Sequence, residues 1–252
     1  MPAPGAVLFL RGRLAAIMLA SMMPAMGTAQ GPGTPTIAGG LSVAPIQLSL
    51  NSIARSVSTI VSNPGDEPLT VQVRLFRWTM HGEEEVYTPP SDAGFSPPLF
   101  RLEPHATQAV RIVAKVPPGT VERSYRLVVD QLPLADAPGQ LQLPVRMVLP
   151  VFVEPTAGIS RSPVLQWSAR YDTRNQQVTL SVSNRGAVHA RVVGLSVEAG
   201  GKTTVVAAGL AGYALAGEER EWSYKAGSVP DTLTITANIG AAPVRAAVPV
   251  TR

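Results

Sequence analysis

The sequence predicts an all-β protein, two Ig-like β-sandwich domains joined by a short hinge. Three observations lead there. Short runs of Val, Ile, Leu and Thr alternate with polar residues at the two-residue period of a strand, and nothing keeps a helical period for long. Pro, Gly, Asn and Asp bound those runs closely, the rhythm of a sandwich rather than of βαβ units. The pattern also breaks at Glu154-Pro155-Thr156-Ala157-Gly158 and then restarts, dividing the chain into a domain over residues 39–155 and a smaller one over 156–252.

Arg11 and Arg13 stand just before an apolar run, Leu14 to Met23, and small residues follow at Gly27-Thr28-Ala29. Residues 1–29 therefore read as a secretory signal peptide cut after Ala29. The run is too short to cross a bilayer, and Pro24 interrupts it. Residues 30–38 form a Pro/Gly-rich flexible leader. Strands of the first domain are expected at Ser56–Val61, ahead of the turn Asn63-Pro64-Gly65-Asp66, and at Leu69–Trp78 after it. Ala109–Val113, Ser124–Val129 and Leu141–Val153 continue the series. The second domain offers Val164–Ala169, Gln177–Val182, Arg191–Val197, Lys202–Ala207, Arg220–Tyr224, Thr232–Ala237 and Ala246–Val250. Its clearest turns are Asn184-Arg185-Gly186 and Ala199-Gly200-Gly201.

Composition narrows the function. The formal charge of +4 falls to +2 when the two arginines leave with the signal, and no dense Lys/Arg run supports nucleic-acid binding. Cysteine is absent although an exported protein could use it, so the fold must stand on its cores. His81, His105 and His189 are far apart, and no HExxH, GxSxG or Gly-rich phosphate loop occurs. Glu83-Glu84-Glu85 reads as a charged, solvated hairpin tip, because consecutive strand residues point to opposite faces and cannot converge. No catalytic residue, metal ligand or cofactor is expected.

The informative stretch is Gly139–Pro155. Leu141, Leu143, Val145, Met147 and Leu149 alternate with Gln142, Pro144, Arg146, Val148 and Pro150, so one face of a long strand is apolar. From Met147 onward, packing inside the strand's own sandwich accounts for the pattern. Before it, Pro144 removes a ladder donor, which suits an edge strand. A long apolar edge invites aggregation unless a partner covers it, which makes this segment a candidate for donating a strand.

Several motifs add to this: Val61-Ser62-Asn63, Phe100-Arg101-Leu102-Glu103-Pro104, then Gln108-Ala109-Val110-Arg111-Ile112. Ser124-Tyr125-Arg126-Leu127 with Gln131-Leu132-Pro133 follows, and Leu149-Pro150-Val151-Phe152-Val153-Glu154-Pro155 closes the domain. In this order they resemble the periplasmic pilus-assembly chaperones of the chaperone–usher pathway (PapD-like), in particular the archaic branch whose clients resemble spore coat protein U.

The resemblance implies a periplasmic chaperone without turnover. It binds and folds pilus or fimbrial subunits by donor-strand complementation and delivers them to an outer-membrane usher. The donors implied are Leu141, Leu143 and Val145, with Met147 as a fourth, each burying roughly 1.5–3 kcal/mol of apolar side chain in a subunit's groove. The family's two basic anchors for the client's terminal carboxylate align with Gln47 and Pro150, neither of which bears a charge. Arg126 is the replacement candidate, since guanidinium binds carboxylate bidentately. Arg111 and Glu122 match family positions of an interdomain structural salt bridge whose third member falls at Asn238. The alternative is a structural or adhesive Ig-like module of a surface fibre, in which Leu141–Val145 would be protected within the isolated protein.

Overall fold

The computed structural model describes residues 40–133 and 144–252. The expected signal and leader lie outside the described residues, as do Leu141 and Leu143. Among the described residues, the first sandwich is built of ten strands: β1 (Ser42–Ala44), β2 (Leu48–Leu50), β3 (Ser56–Ser62), β4 (Leu69–His81), β5 (Glu84–Thr88), β6 (Ala93–Ser96), β7 (Leu99–Leu102), β8 (Thr107–Ala114), β9 (Arg123–Leu132) and β10 (Arg146–Val153). One sheet runs β1-β3-β8-β6. The other runs β2-β10-β9-β4-β5, with β7 also paired to β4. Period-two burial explains the layers. Leu69, Val71, Val73 and Leu75 of β4 point inward, as do Val110 and Ile112 of β8 and Leu127 and Val129 of β9. They share one core with Leu48, Leu50, Val151 and Val153.

The second sandwich contains β11 (Leu165–Asp172), β12 (Gln177–Asn184), β13 (Ala190–Ala199), β14 (Lys202–Ala214), β15 (Glu219–Lys225), β16 (Thr232–Ile239) and β17 (Ala242–Thr251). Their hydrogen-bonded order is β14-β13-β16-β17-β11-β12-β15. Val178, Leu180, Val192, Leu195, Leu233 and Ile235 fill its core. Ala199 pairs with Lys202, leaving Gly200-Gly201 as a two-residue loop with φ of 56° and 77°. Positive φ at both positions is what the tight hairpin turn with matching twist demands.

A repeat not singled out in the sequence links the two halves. Val61-Ser62-Asn63 and Val182-Ser183-Asn184 each end a strand on a buried asparagine. Asn63 Oδ1 accepts the N–H of Gly65 at 3.1 Å, and Asn184 Oδ1 accepts that of Gly186 at 3.0 Å. The side-chain amides donate to carbonyls across the corner, of Glu67, Leu102 and Glu103 for Asn63, and of Val188 and Ala214 for Asn184. Gly186 cannot be replaced cheaply: a Cβ there would sit 2.7 Å from Val164 N and 2.8 Å from Ser162 O.

The sandwiches meet over more than a hinge. Trp78 and Phe152, on the outer face of the β10–β9–β4 sheet, form a third apolar cluster with Tyr213 and Leu215 of the second sandwich. The long β4 carries its hairpin with β5 onto the second sandwich. There Met80 N–H donates to Glu218 Oε2 at 2.6 Å, Glu221 N–H to Gly82 O at 3.1 Å, and Arg220 Nη1 to Glu83 O at 2.7 Å. The solvated-tip expectation for Glu83-Glu84-Glu85 needs correction accordingly. Glu83 and Glu84 are exposed, whereas Glu85 is half-buried and turned toward Arg126. The strand expected over Leu141–Val153 is ordered into a ladder from Arg146, and Pro144 and Val145 precede it.

Candidate functional site

The geometry of β10 follows from one hydrogen bond. Gln131 N–H donates to Val145 C=O at 2.9 Å, directly opposite in the antiparallel register that pairs Arg146 with Asp130 and Met147 with Val129. Alternation then turns the backbone groups of Val145, Met147 and Leu149 toward β9 and those of Arg146, Val148 and Pro150 away from it. On that far side β2 pairs only with Val151–Val153. Among the described residues, nothing pairs with the outer edge of Arg146–Pro150. Both prolines occupy outward-pointing positions, so Pro144 and Pro150 cost the β9 ladder nothing while removing donors from the free edge. Val145 and Met147 face inward and pack half-buried against the rim of the first core. Val148, on the opposite face, is 42 % exposed.

The outer face of this sheet forms one wall of the junction between the sandwiches. Arg126 of β9 lies there, only 8 % exposed. It was expected as an available carboxylate receptor, but its guanidinium is already paired in a fork with Glu85: Nη2 to Oε1 at 2.9 Å and Nε to Oε2 at 3.2 Å. Its Cζ also lies 3.5 Å from the Trp78 ring centroid, so the ring face and the carboxylate satisfy the charge together. Tyr87 donates its hydroxyl to the same Glu85. Burial, reinforced by that carboxylate, pushes the Tyr87 hydroxyl up to about 12.

Gln47 immediately precedes β2, and the parallel register of Leu48 with Val151 sets it beside Pro150. Gln47 lines a cavity of about 300 Å³ together with Pro163, His189 and Arg191. Arg191 is exposed there and, among the described residues, forms no ion pair with an acidic side chain.

The expected trio is not brought together. Arg111 of β8 is exposed and donates to Ser56 Oγ at 2.6 Å, because alternation turns it out of the first sheet and away from the junction. Asn238 sits in β16, opposite Val193. Glu122 does span the sandwiches, but its partner is His189: Oε1 accepts from His189 N–H at 3.1 Å and lies 2.8 Å from Nδ1. The His189 ring stacks on Phe152 with centroids 3.7 Å apart. Sequence reasoning passed over His189 because the partners that give it a role are far away in the chain.

Two arginines hold a further acid at the start of β10. Asp130 Oδ2 accepts from Arg74 Nη2 at 2.6 Å and Oδ1 accepts from Arg146 Nε at 2.5 Å. Burial opposes the charge, but the hydrogen bonds from Arg146 and Arg74 outweigh it and hold the Asp130 carboxyl below its usual range.

Among the described residues, no group of His, Asp and Glu converges as a metal site, and no helix is long and apolar enough to cross a membrane. The comparisons agree with this architecture. Residues 40–158 match the family described as the pili and flagellar-assembly chaperone, PapD N-terminal domain. Among solved structures, a chain of the CsuC–CsuE chaperone–tip adhesion subunit pre-assembly complex, from archaic chaperone-usher Csu pili of Acinetobacter baumannii, is 23 % identical, with a TM-score of 0.64. That match covers 84 % of this chain and 99 % of the other. The Salmonella enterica SafA pilin–SafB chaperone complex gives 18 % identity, a TM-score of 0.57, and coverage of 84 % and 97 %. The E. coli chaperone DraB gives 20 %, 0.54, and coverage of 82 % and 96 %. A search of curated proteins returned no match. Residues 40–158 thus carry the PapD N-terminal domain of pili and flagellar-assembly chaperones, and the chain shares its two-sandwich fold with these solved structures.

Proposed function

We propose that this protein is a periplasmic chaperone without turnover. It captures an incomplete pilus-type subunit by lending it the N-terminal part of β10 and the residues before it, then passes the subunit to an outer-membrane usher. The observation that carries the reading is the one-sided pairing of Arg146–Pro150: a segment held by β9 along one edge and, among the described residues, unpaired along the other can accept a client strand. Leu141, Leu143, Val145 and Met147 are the donor side chains, sharing the parity of the core-facing Leu149 and Val151. A client groove laid against them would therefore extend the chaperone's own core. The family domain is the chaperone's, which favours this reading over a fibre module. Residues 1–29 would deliver the chain to the periplasm and be removed.

Arg126 can meet a client carboxylate only by displacing Glu85, whereas Arg191 and Gln47 already face a shared cavity. The deciding experiment compares the wild-type chain with Leu143→Asp in pull-downs from a periplasmic extract, with partners identified by mass. The wild type should recover a subunit of incomplete Ig-like fold, and the variant should stay folded and lose it. Equal recovery by both would rule out strand donation through this segment.

A further inference from the structure

We infer that Asp130 is a positioning residue for the donor strand, pinning the register in which β10 leaves the sandwich and thereby selecting which side chains are offered. The inference rests on the strand-donation reading for its purpose, and on geometry alone for the pin itself.

Val151–Val153 of β10 is paired on both sides, whereas Arg146–Pro150 is paired, among the described residues, only to β9. The inward side chains at its N-terminal end, Met147 and the preceding Val145, are only half-buried, so apolar packing holds this end less firmly than it holds Leu149 and Val151. A one-residue slip at such a place would turn every inward side chain outward. Asp130 opposes that slip. It stands directly across from Arg146, in the closer, non-hydrogen-bonded type of pair, and is nearly buried while Arg146 and Arg74 remain partly exposed. One carboxylate thus ties β4, β9 and the first residue of β10 in a row across the sheet.

After a slip Arg146 would face the core, and the Asp130 carboxylate would lose one of its two partners. A charge array of this kind contributes little net stability but penalises the wrong register strongly. It also lies on the outer face, away from the core residues that set the stability of the first sandwich. Its effect should therefore be local.

The test is amide exchange on the full mature chain, comparing wild type with Asp130→Asn and Arg146→Ala. The second variant removes only the exposed arm and spares the sheet should the first fold poorly. The N–H groups of Met147 and Leu149 bond to β9, and exchange at Met147 should rise roughly tenfold or more in both variants, with Val151 and Val153 unchanged. Unchanged exchange at Met147 in Arg146→Ala, or an equal rise over Val151 and Val153, would overturn the pin. The subunit recovered by the wild-type chain supplies the second readout, and its capture should fall in parallel. Faster exchange with undiminished capture would refute the link to function. If the wild type recovers no subunit, strand donation fails, and the exchange experiment still decides the pin.

Discussion

Replacing Phe152 by alanine tests whether the two sandwiches behave as one cooperative body. The ring is 1 % exposed and sits among Trp78, Tyr213 and His189, with centroid distances of 6.2, 6.0 and 3.7 Å. Truncating a buried phenylalanine costs about 3–5 kcal/mol through lost transfer energy plus the cavity left behind. Here the loss falls on the cluster joining the sandwiches, because the inward faces that form each separate core do not include Phe152. Urea unfolding should therefore change in shape as well as midpoint. Wild type is expected to melt in one transition, and Phe152→Ala in two, with the earlier midpoint lower by about 1–2.5 M for an m-value of roughly 2–3 kcal/mol/M. Tryptophan fluorescence reports both halves, through Trp78 in the first and Trp167 and Trp222 in the second. A single transition displaced by less than about 0.3 M would refute the claim that this cluster couples them.

Other outcomes follow from the same structure. Asn184→Ala strips a fully buried corner of its donors and acceptor and should cost about 3 kcal/mol by chemical denaturation, with Asn63→Ala costing a similar amount in the first sandwich. Burial pushes the Glu218 carboxyl up despite the Met80 N–H it accepts. The folded state therefore holds more protons than the unfolded one between the ordinary and raised values. This contribution is fully present below the ordinary value and lost as pH rises through the raised one. Glu218→Gln should remove it, so the difference in urea midpoint between wild type and variant should change across that window and be flat on either side.

The sheets were legible in the sequence wherever residues alternate over five or more positions, as in β4, β8 and β12. Short strands such as β2, β6 and β7 carry too few residues to show a period and gain their place from pairing with longer neighbours. The open edge at β10 was foreshadowed by Pro144, since a missing donor is a local property. Electrostatic partners were not foreshadowed. Arg126 with Glu85, Glu122 with His189, and Arg74 with Asp130 are separated in sequence by 41, 67 and 56 residues. Residue type alone says nothing about such meetings, which is how Arg126 came to look available, while the Arg111–Glu122 pair was implied by the resemblance and not by the residues themselves.

The two outward-facing prolines, Pro144 just before β10 and Pro150 within it, also bear on release. Between them the free edge offers N–H donors only at Arg146 and Val148, so a strand laid against it is gripped by few backbone bonds and chiefly by side-chain burial. Such a grip loosens by fraying from one end rather than by breaking all at once. An incoming strand with an unbroken row of donors could then displace it stepwise, each new bond formed as an old one opens, without the subunit ever standing bare.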